Sequence, residues 1–359
     1  MIASSAEIRL FSLLRSPCDW LFAFFIEIQP NLTTIHPMKV IITGGAGFLG
    51  KRLAHKILQL GALTDARGNQ RQVTELILFD IIEAQGFNDT RVKTVAGDLG
   101  DANLLVAILA NTDSVFHLAA IVSGEAEQDF DKGMRVNLDG TRALLEQCRK
   151  LAKSPKIVFT SSCAVFGGPL PALIPDHQEL YPQTSYGVQK AMCELLISDM
   201  SRKGFIDGRS LRLPTITVRP GKPNRALSGY CSGIIREPLN GINAICPVEP
   251  STRAWLLSPR KVIDNLIIGH DAPASAFKHT RAITVPGIAA SAQEQLDALR
   301  RVAGDEVANR VTVKIDPLVT YFMNSLPIEF EANFGRALGM TADTNFDEIV
   351  KAHIEDSSQ

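Results

Sequence analysis

Hydrophobic and polar positions at the start of the main part of the chain change from a strand pattern to a helix pattern. Residues 39–43 form a short β-branched run, typical of a parallel strand covered on both faces. In residues 48–60 apolar side chains recur every three or four positions, and Gly61 is placed to end that helix. The pattern predicts a strand, a turn and a helix in succession.

The same alternation continues through the first 200 residues. Further strands are predicted at 75–80, 92–96, 114–120 and 156–167, and helices at 104–109, at 130–150 and from 186 through 197. Strands that alternate with helices indicate an open, mainly parallel sheet. From residue 213 the pattern breaks into short elements rich in Pro and Gly, with clear helices at 291–303 and 346–354 and a frayed end. We therefore predict an α/β fold with a smaller C-terminal lobe.

The first 37 residues follow a different pattern. Their apolar patch, 21–26, is much shorter than the ~20 residues of a transmembrane helix. Glu7 and Asp19 do not suit a signal peptide. Because Met38 stands immediately before the first strand, we predict that residues 1–37 are an extension outside the fold, so that their deletion leaves activity and thermal stability almost unchanged.

A glycine-rich turn, 44–50, separates the first strand from the first helix. Glycine allows the backbone to approach a pyrophosphate closely, and the helix N-terminus presents free N–H groups and the positive end of a dipole. The spacing is G-x-x-G-x-x-G, which taken alone also fits an ordinary tight turn. Its position between a strand and a helix favours dinucleotide binding.

Acidic residues follow two of the predicted strands. Asp80 ends the strand at 75–80, where a carboxylate can accept hydrogen bonds from a ribose and repels a 2′-phosphate. It lies 30 residues after Gly50 instead of about 20, and the polar loop at 64–72 explains the excess. Asp80 alone could cap a turn; in register with the glycine turn it predicts NAD. Asp98 follows the next strand and could hold the adenine amino group.

Two polar residues lie inside the next predicted elements. His117 sits within an apolar strand, where we expect a hydrogen-bonded core histidine. Asn137 lies inside a predicted helix and needs a packing or hydrogen-bonding reason to be there.

The candidate catalytic residues lie on one strand and the helix after it. Ser162, near the hydroxyl-rich end of 156–167, could hydrogen-bond and orient a substrate oxygen. Tyr186 follows 24 positions later, and Lys190 shares its helix face at i+4. Such a lysine lowers the pKa of the phenol from about 10 towards the working pH. Many helices contain a lone Y-x-x-x-K, but after the glycine turn, Asp80 and the serine strand it predicts Tyr186 as a general base.

Composition limits the partners of the protein. The 37 lysines and arginines nearly balance the 38 aspartates and glutamates, so no basic surface for nucleic acid or an anionic membrane is expected. The six cysteines include no C-x-x-C, and the seven histidines include no H-E-x-x-H. We expect a small-molecule partner, reduced thiols, a cytoplasmic setting and no metal site; a homodimer stays open.

From Met38 almost to the C-terminus the chain resembles the extended short-chain dehydrogenase/reductase family. The motifs that carry the resemblance are Thr43-Gly-Gly-Ala-Gly-Phe-Leu-Gly50, Asp98-Leu99, His117-Leu-Ala-Ala120, Asn137-x-x-Gly-Thr141, Ser162 and Tyr186-x-x-x-Lys190. The resemblance implies a Rossmann-type doubly wound parallel sheet at 38–212, an α/β substrate-binding lobe at 213–359 and NAD as cofactor. It implies Ser162, Tyr186 and Lys190 as catalytic residues, with Lys190 also bonding the nicotinamide ribose.

The cofactor residues expected from the glycine turn, the strand ends and the resemblance are Gly44, Gly47, Phe48, Leu49, Gly50, Asp80, Asp98, Leu99, Leu118, Ala119, Ala120, Asn137, Tyr186, Lys190, Pro214 and Ile216. The substrate residues are predicted to be Ser123, Ser162, Thr215, Arg219 and Arg253. The arginines that could grip a carboxylate are Arg219, Arg225, Arg236 and Arg253. Arg253 is the first choice, because its position contacts phosphate oxygens in related nucleotide-sugar enzymes.

The resemblance leaves two enzyme reactions open. The downstream half is most like a subgroup that oxidises the 2-hydroxyl of a four-carbon sugar acid with NAD, which predicts oxidation of D-erythronate to 2-dehydro-D-erythronate. The alternative is a UDP-hexose 4-epimerase that keeps its NAD bound. Dehydration is not expected, because Cys163 and Ala164 stand where dehydratases carry an Asp-Glu pair. A member that only senses the dinucleotide would usually lack Tyr186 or Lys190.

Overall fold

Parallel strands form the centre of the protein, as the alternation of strands and helices predicted. The structure, a computed structural model, describes residues 37–221 and 227–357. The predicted N-terminal extension, apart from Pro37, lies outside the described residues, and so do Arg225 and the last two residues.

The strands are β1 (Pro37–Thr43), β2 (Ala62–Thr64), β3 (Gln70–Asp80), β4 (Val92–Ala96), β5 (Ser114–His117), β6 (Lys156–Ser162), β7 (Asp207–Leu213), β8 (Thr215–Ile216), β9 (Ala244–Cys246), β10 (Arg253–Leu257), β11 (Ala282–Thr284), β12 (Ile288–Ser291) and β13 (Val311–Val313). The helices are α1 (Phe48–Leu60), α2 (Ala102–Leu109), α3 (Ser123–Gln128), α4 (Phe130–Gly133), α5 (Gly140–Arg149), α6 (Ser185–Arg202), α7 (Tyr230–Leu239), α8 (Pro259–Asp271), α9 (Ala292–Ala303), α10 (Asp305–Ala308), α11 (Pro317–Asn324), α12 (Asn333–Ala337) and α13 (Phe346–Ser357).

The large sheet has eight strands within the described residues, in the order β11-β7-β6-β5-β1-β3-β2, with β4 also paired to β3. Its pairs are parallel except for β2, which runs antiparallel to the start of β3. From β1 the chain first builds outward through β3 and β4, then returns to place β5, β6 and β7 on the other side. The order therefore reverses between β1 and β5, which opens a crevice at the carboxyl ends of these strands.

Both faces of this sheet are covered, and β1 shows how its residues are distributed between them. Val40 and Ile42 belong to one hydrophobic cluster, together with Leu53 and Ile57 of α1. Ile41 points to the opposite face and belongs to a second cluster with residues of α2, α5 and α6. Successive side chains of a strand alternate between faces, so a strand buried on both sides is apolar throughout. The α/β Rossmann-type prediction is confirmed.

Two predicted strands are shorter than expected. β5 ends at His117 and β6 at Ser162, whereas the apolar pattern extended to residues 120 and 167. After β6 the chain forms a 3₁₀ turn over Cys163–Val165. Leu118, Ala119, Ala120, Cys163 and Ala164 line a crevice. Val165 and Phe166 belong to a buried hydrophobic cluster instead of continuing the sheet.

Three other segments also differ from the sequence prediction. The polar loop at 64–72 is partly strand, because β2 pairs with residues 70–72 of β3. The helix predicted at 130–150 contains a π-helical turn over Met134–Asp139. Helix α13 continues to Ser357, beyond the predicted residue 354, and ion pairs of Asp356 with Arg52 and Arg260 hold its last turn.

The chain after β7 forms smaller sheets within the described residues. One has the order β12-β10-β8, and β13 pairs with β9. Strand β11, however, joins the large sheet beside β7, and the division at residue 213 stays a prediction. In the part of the chain that the structure describes, no helix is both long enough and apolar enough to span a bilayer.

Candidate active site

A cavity of about 720 Å³ lies at the carboxyl ends of the parallel strands. Most of the predicted site residues line it: Gly44, Gly47, Phe48, Leu49, Gly50, Asp80, Asp98, Leu99, Leu118, Ala119, Ala120, Ser123, Ser162, Tyr186, Lys190, Pro214, Thr215, Ile216 and Arg219. Asn137 and Arg253 do not belong to this lining. The fold thus gathers segments far apart in the sequence at one edge of the sheet.

The glycine turn leaves no room for side chains where it bends. Gly44 has a φ of +71°, and a Cβ on it would lie 2.9 Å from the backbone nitrogen of Ala119. A Cβ on Gly50 would collide with the Gly44 carbonyl oxygen. Helix α1 begins directly after Gly47, which provides no side-chain cap. The first N–H groups of α1 are therefore available to an anion in the cavity.

The carboxylates of Asp80 and Asp98 accept main-chain hydrogen bonds where strands β3 and β4 end. Asp80 Oδ2 accepts a hydrogen bond from the Ala46 N–H at 3.0 Å, which ties the end of β3 to the glycine turn. Its Oδ1 accepts from the N–H of Ile81 at 2.7 Å. Asp98 Oδ1 accepts from the Gly100 N–H at 2.6 Å. Both side chains line the cavity.

Asn137 and His117 lie beneath the cavity and hold its walls. Asn137 is 2% exposed; its Oδ1 accepts from the Ile121 N–H at 2.9 Å, and its Nδ2 donates to Gln189 Oε1 at 2.8 Å. It thus links the loop after β5 to helix α6, and this explains an asparagine within a helical segment. His117 is buried between the hydroxyls of Thr43 and Thr141, at 2.6 and 2.8 Å, which confirms the prediction of a core histidine.

The three predicted catalytic residues meet in the cavity. Ser162 is the last residue of β6, while Tyr186 and Lys190 lie one turn apart in α6, which Thr184 caps by accepting from the Gly187 N–H. Lys190 is 2% exposed; its Nζ donates to the Thr160 carbonyl at 2.8 Å and lies 5.7 Å from the centroid of the Tyr186 ring. Strand β6 thus supplies the hydroxyl and also a carbonyl that holds the lysine.

Burial has the largest effect on the titration of Tyr186. Burial raises the pKa of Tyr186 to about 12, and the neighbouring Cys163 raises it further, whereas the charge of Arg219 and a hydrogen bond with Ser162 lower it. Burial also lowers the pKa of Lys190 to about 8. The sequence assigned the lowering effect to Lys190; the structure adds Arg219 as a cation that acts on the phenol.

A buried ion pair lies directly behind the catalytic residues. Glu194, one turn after Lys190, pairs with Arg212 of β7 at 2.7 Å and accepts from the Ser161 hydroxyl at 2.5 Å. Its charge raises the pKa of Lys190 and so partly opposes the effect of burial. Nothing in the spacing of the motifs indicated this arrangement, because Ser161, Glu194 and Arg212 lie on three different elements.

The arginines proposed for a carboxylate are separated by the fold. Arg219 lines the cavity. The guanidinium of Arg253 donates to the Ala289 carbonyl at 2.9 Å and to Glu294 at 3.2 Å, outside the cavity lining. Arg236 donates to the main-chain carbonyl of Arg219 at 2.6 Å. Arg225 lies outside the described residues. The first choice from the sequence, Arg253, is thus not the arginine that faces the cavity.

The cavity also has lining residues that sequence reasoning missed. Glu125 and Lys132 form an ion pair at 2.5 Å on one wall, and Ser228 lies just before helix α7. Phe322 of α11 and Leu326, just after this helix, also line the cavity. They belong to no motif and lie more than 130 residues after Tyr186, so only the folded chain could identify them.

Comparison with known protein families and sequences gives consistent results. The model of the NAD dependent epimerase/dehydratase family matches residues 40–244. A D-erythronate dehydrogenase from Cupriavidus necator is 52% identical over 321 residues, which cover 89% of this chain and 99% of that protein. A D-erythronate dehydrogenase from Haemophilus influenzae is 42% identical over 320 residues, with the same shares covered.

Among solved structures, a nucleoside-diphosphate-sugar epimerase from Agrobacterium tumefaciens superposes with a TM-score of 0.84 at 43% identity. The match covers 90% of this chain and 95% of that one. The similarity thus includes the smaller sheets after β7 as well as the large sheet.

Proposed function

The chain belongs to the NAD dependent epimerase/dehydratase family, and from this membership we propose that it oxidises the 2-hydroxyl of D-erythronate to 2-dehydro-D-erythronate with NAD. Two relatives that bear the name D-erythronate dehydrogenase support this substrate. The observation that carries the proposal is the cavity in which Tyr186, Ser162 and Arg219 meet. Oxidation of a 2-hydroxy acid requires a base, a hydroxyl group that orients the substrate oxygen and a cation that binds the carboxylate.

The cofactor side of the cavity fits a nicotinamide dinucleotide. Gly44 and Gly50 form a cradle that a Cβ would fill, and the uncapped start of α1 offers N–H groups to a pyrophosphate. Asp80 places a carboxylate where a ribose would lie. When bound, NAD supplies the hydride acceptor for the carbon that carries the 2-hydroxyl.

The protein's own residues handle the proton of the hydroxyl. Ser162 hydrogen-bonds the substrate oxygen, and the phenolic oxygen of Tyr186 takes its proton. Because burial raises the pKa of Tyr186, the phenolate needs support from positive charge, which Arg219 and the ammonium of Lys190 provide. The Thr160 carbonyl keeps that ammonium in place, and Cys193 and Glu194 favour its charged form.

Two features favour oxidation of a free acid over elimination or epimerisation. Cys163 lies beside Ser162 in the lining, and burial raises the pKa of its thiol to about 11. It therefore stays protonated and does not replace the acid–base pair of a dehydratase. Arg253, the residue expected to grip a nucleotide phosphate, is bonded to Ala289 and Glu294 outside the lining, while Arg219 faces the cavity beside the base.

The experiment that tests the function combines the enzyme with excess NAD and a panel of D- and L-tetronates, pentonates and UDP-sugars. NADH absorbance and sugar products are followed in parallel. We expect net NADH formation with D-erythronate and a slower rate with its stereoisomers. Interconversion of a UDP-sugar without net NADH would instead assign the protein to the epimerases.

The rate of oxidation should depend on pH through Tyr186. Its active form is the phenolate, and a pKa raised to about 12 makes that form a minor species at neutral pH. As long as the pH is below this pKa, the phenolate fraction increases tenfold for each unit by which the pH rises. We expect log kcat/KM to rise by about one per unit from about pH 6 to about pH 8, while Lys190 keeps its charge. A flat profile over this range in initial-rate measurements would contradict the assignment.

Cofactor choice should depend on the charge of Asp80. Asp80→Asn keeps an oxygen that can accept from the Ala46 N–H but removes the repulsion of a 2′-phosphate. We expect the ratio of kcat/KM for NAD to that for NADP to fall by about tenfold or more. Because both cofactors use the same glycine turn, the ratio cancels any damage to the turn. Equal or better efficiency of the unchanged enzyme with NADP would refute the role of Asp80.

A further inference from the structure

Arg219 is held in place by helix α7 through its main chain. Its N–H donates to Ser232 Oγ at 3.0 Å, and its carbonyl accepts from Arg236 Nη1 at 2.6 Å. Ser232 and Arg236 are four residues apart in α7, so both side chains project from one face of the helix. One face of α7 therefore forms hydrogen bonds with both the main-chain N–H and the main-chain carbonyl of Arg219.

The two side chains are built into the protein. Ser232 is 1% exposed, and its hydroxyl also donates to Thr217 Oγ1 at 3.4 Å. Thr217 in turn donates to the Cys231 carbonyl at 2.9 Å. Arg236 is 7% exposed and pairs with Glu237 Oε1 at 2.5 Å. Because buried polar groups that lose a partner are costly, this arrangement resists displacement.

We propose that Ser232 and Arg236 are positioning residues that fix the guanidinium of Arg219 and thereby set the affinity for the substrate carboxylate. This inference rests on the proposed oxidation of a hydroxy acid. A carboxylate clamp works only when its two N–H groups keep the geometry of the two oxygens, and a main chain held at both its N–H and its carbonyl limits how far the side chain can move.

The charges around Arg219 add a second effect of Arg236. Burial lowers the pKa of Arg219, and repulsion by the guanidinium of Arg236 lowers it further, whereas Cys231 and Tyr186 partly oppose these effects. A substrate carboxylate stabilises the charged form of Arg219, because its negative charge offsets the effects of burial and of Arg236. Glu237, the neighbour of Arg236 in sequence, is already engaged by Arg236. The cavity is thereby prepared for an anion before the substrate arrives.

Two substitutions with matched controls test the positioning role. Ser232→Ala and Arg236→Gln each remove one bond to the main chain of Arg219. We expect each to raise the KM for the hydroxy acid by about tenfold, with the KM for NAD within about twofold. Ser201→Ala removes a buried serine that likewise accepts from a main-chain N–H, that of Gly208. Arg310→Gln removes an arginine that likewise donates to a main-chain carbonyl, that of Gly241. Both controls should leave the two KM values unchanged.

A double-mutant cycle separates positioning from a general loss of stability. In an Arg219→Ala background, Ser232→Ala should raise the KM for the acid no further, because there is no guanidinium left to position. If Ser232→Ala raised the KM for the acid equally in the unchanged enzyme and in the Arg219→Ala variant, that result would overturn the inference. So would an unchanged KM in Ser232→Ala and Arg236→Gln while Arg219→Ala raises it strongly. If Arg219→Ala itself has no effect on the KM for the acid, the clamp of the proposed function fails instead. Should Arg236→Gln not fold, Ser232→Ala, which removes one oxygen atom, carries the test alone.

Discussion

Replacement of Tyr186 by Phe is expected to reduce kcat by about a thousandfold or more, since it removes the oxygen that takes the proton of the substrate hydroxyl. The ring remains, so the packing of α6 against β6 and the walls of the cavity is preserved. Lys190 keeps its bond to the Thr160 carbonyl. The affinity for NAD, measured by calorimetric titration, should therefore stay within a few-fold of the unchanged protein.

The control for this variant is Tyr181→Phe, which removes the equivalent phenolic hydroxyl from a tyrosine five residues upstream. The Tyr181 hydroxyl donates to Glu179 on the surface and lies outside the cavity lining, and we expect normal turnover. Lys190→Ala offers a contrast, because it should weaken both turnover and NAD binding. Near-normal turnover by Tyr186→Phe would remove Tyr186 from the mechanism.

Replacement of Arg219 by Ala is expected to raise the KM for the hydroxy acid by about a hundredfold. A charge-assisted, bidentate contact with a carboxylate is among the strongest that a side chain makes, and Arg219→Ala removes it. The pKa of Tyr186 should also increase, because Arg219 lowers it. The rising limb of the pH profile should accordingly move to higher pH. Initial rates over a range of acid concentrations and pH values give both quantities.

Arg253→Ala is the matched control, since the sequence proposed both arginines for the same role. Arg253 has a side chain 40% exposed and is paired with Glu294, so its loss should change the KM for the acid by less than about threefold. Arg219→Lys should give an intermediate value, because it keeps the charge but loses the planar fork. If Arg253→Ala raised the KM for the acid more than Arg219→Ala does, Arg253 would be the residue that binds the carboxylate, as the sequence suggested.

Local patterns in the sequence were sufficient for the sheet and for the residues that act through their own segment. The turn at 44–50 requires glycine because its backbone bends into a positive φ at Gly44 and passes within contact distance of Ala119. Tyr186 and Lys190 share a helix face because they are four positions apart. The bend at Gly44 and the helical spacing act between neighbours along the chain, whereas the approach to Ala119 is a tertiary contact. The sequence therefore predicted the Rossmann-type fold and placed Ser162 on a strand and Tyr186 and Lys190 on the helix that follows it.

Tertiary structure decided which side chains face one another across elements. Arg219 and Arg253 look alike in sequence, but β10 directs the guanidinium of Arg253 towards Ala289 and Glu294, whereas α7 holds the main chain of Arg219 beside Tyr186. Asn137 joins Ile121 to Gln189 and does not belong to the cavity lining, and its role towards the cofactor stays a prediction. The titration of Tyr186 likewise depends on burial and on Arg219, 33 residues away in sequence. Such effects arise from distances in space and from exclusion of water, which the order of residues along the chain does not specify.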